Sequence, residues 1–102
     1  MFDNTLQYQA EHLGKELGKP FNVYNKQIVA IKKVNIAIKV GDLLIAKTEN
    51  SAKPYLAGEI QSIQVDSIDR NEIAANENVD IGMKVAFHAK DNQTFYIVPK
   101  QP

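Results

Sequence analysis

The apolar positions at the start of the chain recur with a helical period. Leu6, Ala10, Leu13 and Leu17 follow one another at steps of four, three and four, which places them on one helix face. Asp3 or Asn4 is the candidate N-cap, and Glu11 and Lys15 stand at i and i+4 in the favourable order. Gly14 and Gly18 weaken the later part, so the spacing predicts a helix near residues 4 to 14. Its apolar face suits either a docking partner or one end of the domain behind it.

Beyond Pro20 the period falls to two. Phe21 and Val23, then Ile28 to Ile31, read as strand on either side of a turn at Asn25-Lys26-Gln27. Val34, Ile36, Ile38 and Val40 alternate with Lys33, Asn35, Ala37 and Lys39, the pattern of one half-buried strand. Gly41-Asp42 is a turn signal, and Leu43 to Ala46 is a short apolar run that fits a strand buried on both faces. Glu49 to Pro54 reads as a loop. In the stretch from Tyr55 to Val65, Ile60 is out of phase with Ile63 and Val65, and one extra residue near Gln61-Ser62, a β-bulge, restores the phase. Asp66 to Asp80 is acidic and asparagine-rich, and is expected to be a long connection. Ile81, Met83, Val85 and Phe87 alternate cleanly with Gly82, Lys84, Ala86 and His88. A turn at Asp91-Asn92 leads to a last strand, Thr94 to Val98, which Pro99 ends.

About six short strands with turn signals between them argue for an all-β domain rather than βαβ units. Closure removes exposed edges, so the expected fold is a small closed six-stranded β-barrel with a short N-terminal helix. Residues 1–16 form the helical extension in this reading, and residues 17–102 the barrel.

Composition narrows the function more than it names it. The 102 residues suit one domain, and the apolar fraction of 44% suits a globular one. The absence of cysteine excludes a disulfide framework, a thiolate nucleophile and a sulfur-ligated zinc site. The first residues lack a basic stretch followed by an apolar one, and no apolar run reaches the roughly 20 residues of a membrane helix, so the expected setting is cytoplasmic and soluble. Twelve basic residues balance twelve acidic ones. The distribution is uneven. Residues 1–53 carry eight lysines against five acids, and residues 54–102 carry four basic residues against seven acids. A barrel built from these halves has one positive and one negative side, or a mixed solvated surface.

Several stretches, in order, resemble the β-barrel domain that translation GTPases carry behind their nucleotide-binding domain. They are Leu17-Gly18-Lys19-Pro20-Phe21 leading to Ile28-Val29-Ala30-Ile31; Ile38-Lys39-Val40-Gly41-Asp42 before Leu43-Leu44-Ile45; Gly58 to Asp66 with its Ser62-Ile63-Gln64; and Asp80-Ile81-Gly82-Met83-Lys84-Val85. The similarity covers roughly residues 17 to 99. Pro20 stands where the family has a strand valine, and Lys90-Asp91-Asn92 replaces its second Gly-Asp turn. The resemblance implies a turn near Asn35-Ile36-Ala37, where alternation alone implies unbroken strand. It also implies a stand-alone binding module that docks on protein or RNA. Similar barrels end some U32-type peptidase-family enzymes, which gives the alternative of an accessory domain for a separately encoded enzyme.

No stretch carries catalytic spacing. The five glycines are scattered singly, so no phosphate loop is present and no nucleotide binding or cofactor is expected. His12 and His88 lack the neighbours of a metal site. Asp66, Asp69 and Glu72 lie close in sequence but without a calcium-loop pattern. No serine sits in a Gly-x-Ser-x-Gly context. The chain is therefore read as a non-enzyme. Lys26, Lys32, Lys33 and Lys39 cluster near Tyr24, and lysines beside an aromatic suit single-stranded RNA, where rings stack bases and ammonium groups follow phosphates. The same lysines also fit the outward positions of ordinary strands.

Overall fold

The computed structural model describes residues 2–100, with side chains described from Thr5 onward. The chain opens with an α-helix, α1 (Phe2–Tyr8), which runs directly into a π-helical turn, Gln9–Leu13. The Gly14 N–H donates to the Gln9 carbonyl at 2.7 Å, the five-residue step of a π-turn. This wider turn explains a departure from the expected face. Leu6 and Ala10 pack onto the sheet, whereas Leu13 is rotated out and is 50% exposed. The cap expected at Asp3 or Asn4 lies outside the described side chains.

Ten short strands follow: β1 (Lys15–Gly18), β2 (Asn22–Tyr24), β3 (Ile28–Val34), β4 (Ile38–Lys39), β5 (Leu43–Lys47), β6 (Tyr55–Val65), β7 (Ile68–Arg70), β8 (Glu72–Ile73), β9 (Val79–Val85) and β10 (Thr94–Val98). Eight of them form one antiparallel sheet in the order β1-β10-β5-β6-β9-β3-β2, with β7 added beside β6, and β4 pairs with β8 separately. The sheet curls strongly into a half-barrel.

It is not the closed six-stranded barrel that the strand pattern suggests. The two ends of the sheet, β1 and β2, are consecutive in the chain and joined only through Lys19, Pro20 and Phe21. Gly18 adopts φ +88°, and the register of β1 slips between Glu16 and Gly18. Pro20 has no N–H to donate, so a ladder cannot run through this corner. The loop expected over Asp66 to Asp80 also needs correction. Asp66 and Ser67 both have positive φ, 53° and 66°, the mirror-image turn that suits a two-residue hairpin, and β6 folds back through it onto β7.

Other features match the patterning. β5 is buried on both faces, because Leu44 and Ala46 point into the core while Leu43 and Ile45 lie under the N-terminal helix. β6 pairs with β5 through Tyr55 to Glu59 and with β9 beyond it, and its register shifts between Ile60 and Ser62, where the phase analysis places a bulge. Val34 ends β3 and Ile38 starts β4, so the chain turns over Asn35-Ile36-Ala37 instead of continuing as one strand. Val40 consequently leaves the inward phase and is exposed.

The main core fills the inside of the curl with Val29, Ile31, Leu44, Ile63, Met83 and Phe95, among others, all essentially buried. Each such side chain contributes about 1.5–3 kcal/mol relative to exposure. A smaller apolar cluster of Ala10, Ile45, Tyr55 and Val98 joins the helix to the outside of the sheet. No helix of the described residues is long and apolar enough to cross a membrane.

Candidate functional site

Strands alternate their side chains, so inward burial of Val23, Val29, Met83 and Ile63 turns a second set outward. The outward rows read Tyr24, Ile28, Lys84, Ser62 and then Asn22, Ala30, Gly82, Gln64 across β2, β3, β9 and β6. The second row is low at its centre, where Ala30 and Gly82 stand side by side. A groove of about 290 Å³ lies over them. Phe21, just before the edge strand, and Tyr24 at its end form one wall, and Gln64, Asp66 and Ser67 form the other.

Two tight turns place these walls. Asn25 and Lys26 have φ of 53° and 62°, and the Gln27 N–H donates to the Tyr24 carbonyl at 3.2 Å, so the β2–β3 hairpin holds Tyr24 at its end. The Asp66-Ser67 turn does the same for the opposite wall. The aromatic wall is open to solvent, with Phe21 61% and Tyr24 48% exposed. Gly82 does not have the left-handed backbone that demands glycine, and a Cβ there would meet nothing closer than the Ile28 Cγ2 at 3.7 Å. The fold therefore has room for a Cβ at this position, and its absence keeps the floor open.

The four candidate lysines do not share one cavity. Lys32 lines this groove and places its Nζ 3.9 Å from the centre of the Phe21 ring, within cation–π range. Lys33 sits on a bulge at φ +54°, where β3 shifts register against β9, and its backbone N–H donates to the Asp80 Oδ1 at 2.9 Å. Lys26 lies on the hairpin turn and lines a second groove with Val23, Lys90 and Asp91. Lys39 lines a third, near Lys15 and Lys100, with its Nζ 3.9 Å from the Glu72 carboxylate. Asp66 and Asp80 share the first groove with Lys32, so its charge is mixed.

The remaining titratable groups take structural places. The Tyr8 and His12 rings stack with centroids 4.6 Å apart, and His88 is exposed. Asp69 accepts from Gln64 Nε2 at 2.9 Å. Arg70 donates to both oxygens of Glu77, at 3.1 and 2.8 Å, and the Ala74 N–H donates to the same carboxylate at 2.6 Å. The Arg70 guanidinium first, and the Ala74 amide after it, hold the Glu77 carboxyl below its ordinary value. Among the described residues, no three metal-ligating side chains converge.

Phe21, Lys15 and Lys100 are the residues that sequence reading misses. Phe21 looks like a strand residue in phase with Val23, but Pro20 delays β2 until Asn22 and leaves the ring outside. Lys15 and Lys100 lie at opposite ends of the chain, and only the pairing of β1 with β10 brings them together. No protein-family model matches the chain, and no curated protein matches it at a significant level.

Proposed function

We propose that the chain is a non-catalytic, stand-alone binding module, a half-barrel that resembles the translation-factor barrel domain, and that it docks on single-stranded RNA. The observation that carries this reading is the outer-face groove, in which two exposed rings, Phe21 and Tyr24, flank a floor left open by Gly82. Exposed aromatic faces offer bases a stacking surface that tolerates any sequence. Lys32 on the Phe21 ring supplies a phosphate contact in the groove, and Lys26 on the turn after Tyr24 and Lys33 next to Lys32 are the neighbouring lysines, whereas Lys39 lines a separate groove. The turn at Asn35-Ile36-Ala37 and the bend at Gly41-Asp42 ahead of a buried strand support the barrel resemblance.

Affinity is modest in this reading, because Asp66 and Asp80 oppose phosphate and the formal net charge is zero. Fluorescence anisotropy with short single-stranded RNA and with an acceptor-end tRNA fragment, at several salt concentrations, tests it. Reversal of Lys32 and Lys33 to glutamate weakens binding and flattens its salt dependence. Absence of binding at low salt removes the RNA reading and leaves a protein partner, sought by pull-down with mass spectrometry, as the better assignment.

A further inference from the structure

The groove around Lys39 is distinct from the aromatic one in both shape and charge. It encloses about 180 Å³ and is lined by Lys15 from β1, Ile36 and Ala37 from the turn after β3, Lys39 from β4, and Ile97 and Lys100 around the end of β10, with Asp42 at its base. Drug-sized ligands occupy cavities of roughly 300–1,000 Å³, so this one suits a single small group. Three lysines and one aspartate line it, an excess of two positive charges that falls to one when the Glu72 carboxylate beside Lys39 is counted.

That carboxylate offsets one of the charges, but it is turned to backbone amides and makes no ion pair with the ammonium groups among the described residues. Asp42 is 4% exposed; its Oδ2 accepts from the Lys39 N–H at 2.8 Å and its Oδ1 from the Lys100 N–H at 2.9 Å. It is a strut that fixes the two lysine-bearing segments. The Lys100 side chain folds back over the adjacent turn, where a Cβ on Gly41 would lie 3.8 Å from its Nζ. Lys39 has only a distant and exposed partner in Glu72, and Lys15 and Lys100 make no ion pair among the described residues. Like charges gathered by three separate segments repel one another, and a bound anion relieves that repulsion.

We infer that Lys15, Lys39 and Lys100 form an anion site that takes a phosphate group. The site goes beyond the RNA reading and does not depend on it, because free phosphate and a nucleic-acid phosphate present the same chemistry. The test is a titration of the ¹⁵N-labelled full chain in low-salt buffer, first with inorganic phosphate. Saturable shifts are expected at Ala37, Gly41 and the Lys39 and Lys100 amides, while Ala30 and Gly82 stay still. Each single lysine-to-glutamine change weakens phosphate about threefold to fivefold, the scale of an exposed ion pair, and the triple change abolishes saturation. These lysines lie at the surface, and an unchanged melting temperature shows that the fold survives. Shifts that do not saturate, or that persist in the triple variant, overturn the site. A second arm compares short RNAs with and without a 5′-phosphate. A requirement for that phosphate at the Lys39 and Lys100 amides identifies a terminal group, equal shifts there identify a backbone phosphate, and silence there with either RNA, with phosphate still bound, assigns the site to a free anion, while the Ala30 and Gly82 amides report the RNA reading separately.

Discussion

The carboxylate of Asp42 accepts a hydrogen bond from the backbone N–H of Lys100, 2.9 Å away and 58 residues further along the chain. The same side chain takes the Lys39 N–H, while its own carbonyl accepts from the Ile60 N–H at 2.9 Å. One buried residue thus ties the Gly41-Asp42 turn to the end of the last strand and to the middle of β6. Asp42→Ala removes the acceptor of two part-buried backbone hydrogen bonds and is expected to cost about 1–2 kcal/mol in denaturant unfolding. Asp42→Asn keeps one acceptor oxygen and costs less. Equal, negligible losses contradict the role of Asp42 as a strut.

Gly58 and Gly82 are both strand glycines, but they answer to different constraints. A Cβ on Gly58 would sit 2.9 Å from the Phe87 ring, so the ring must move. Gly58→Ala is expected to destabilise the domain by about 1–3 kcal/mol. Gly82→Ala meets no such obstacle and is expected to be neutral or to stabilise by about 0.5 kcal/mol, because glycine loses more chain entropy on folding. Paired thermal melts check the contrast.

β9 offers a direct test of the inward and outward phase. Val85 is fully buried and its neighbour Lys84 is exposed. Val85→Asp places an unpaired charge in the core and is expected to unfold the domain. Lys84→Asp is expected to shift stability by only about 0.5 kcal/mol. Similar melting temperatures for the two variants would contradict the phase.

The Arg70–Glu77 pair sets a pH dependence whose sign is definite. Folding holds the Glu77 carboxyl below its ordinary value of 4.5, first through Arg70 and then through the Ala74 amide. The deprotonated form is therefore favoured in the folded chain. Its stabilisation is present above the ordinary value and is lost as the pH falls through the lowered one. The difference in melting temperature between the wild-type chain and Glu77→Gln should shrink as the pH is lowered from about 7 to about 3. A constant difference across that range would mean that another group sets the acid limb.

Local patterning carried much of the fold. The alternation of Ile81, Met83 and Val85, the doubly buried run at Leu43 to Ala46 and the phase slip between Ile60 and Ile63 each rest on short-range geometry, and each has its counterpart in the structure. Closure was not legible, because it turns on one corner, where Gly18 at φ +88° and Pro20 stop the ladder. The hairpin at Asp66-Ser67 was hidden by composition. Acidic, asparagine-rich residues suit loops, yet Asp and Ser here supply the positive φ of a tight turn. Of the candidate lysines, sequence proximity could not show that a bulge, a hairpin turn and a separate short strand disperse them. Phe21 escaped notice because its apolar character resembles that of a core residue.

The central claim is that the groove over Ala30 and Gly82 is the surface on which this module binds single-stranded RNA. Gly82→Val tests it most directly, since the backbone there is not left-handed and has room for a Cβ, and the two added methyl groups occupy the groove floor. The measurement is fluorescence anisotropy of a short labelled RNA at low salt, with the wild-type chain and Gly82→Val side by side and their melting temperatures matched. The wild-type chain is expected to bind with a log–log salt slope of roughly −1 to −2, from about −0.7 for each of two or three phosphate contacts. Gly82→Val is expected to lose that binding while it melts no lower. Undiminished binding by Gly82→Val, or no binding by the wild-type chain, would contradict the claim.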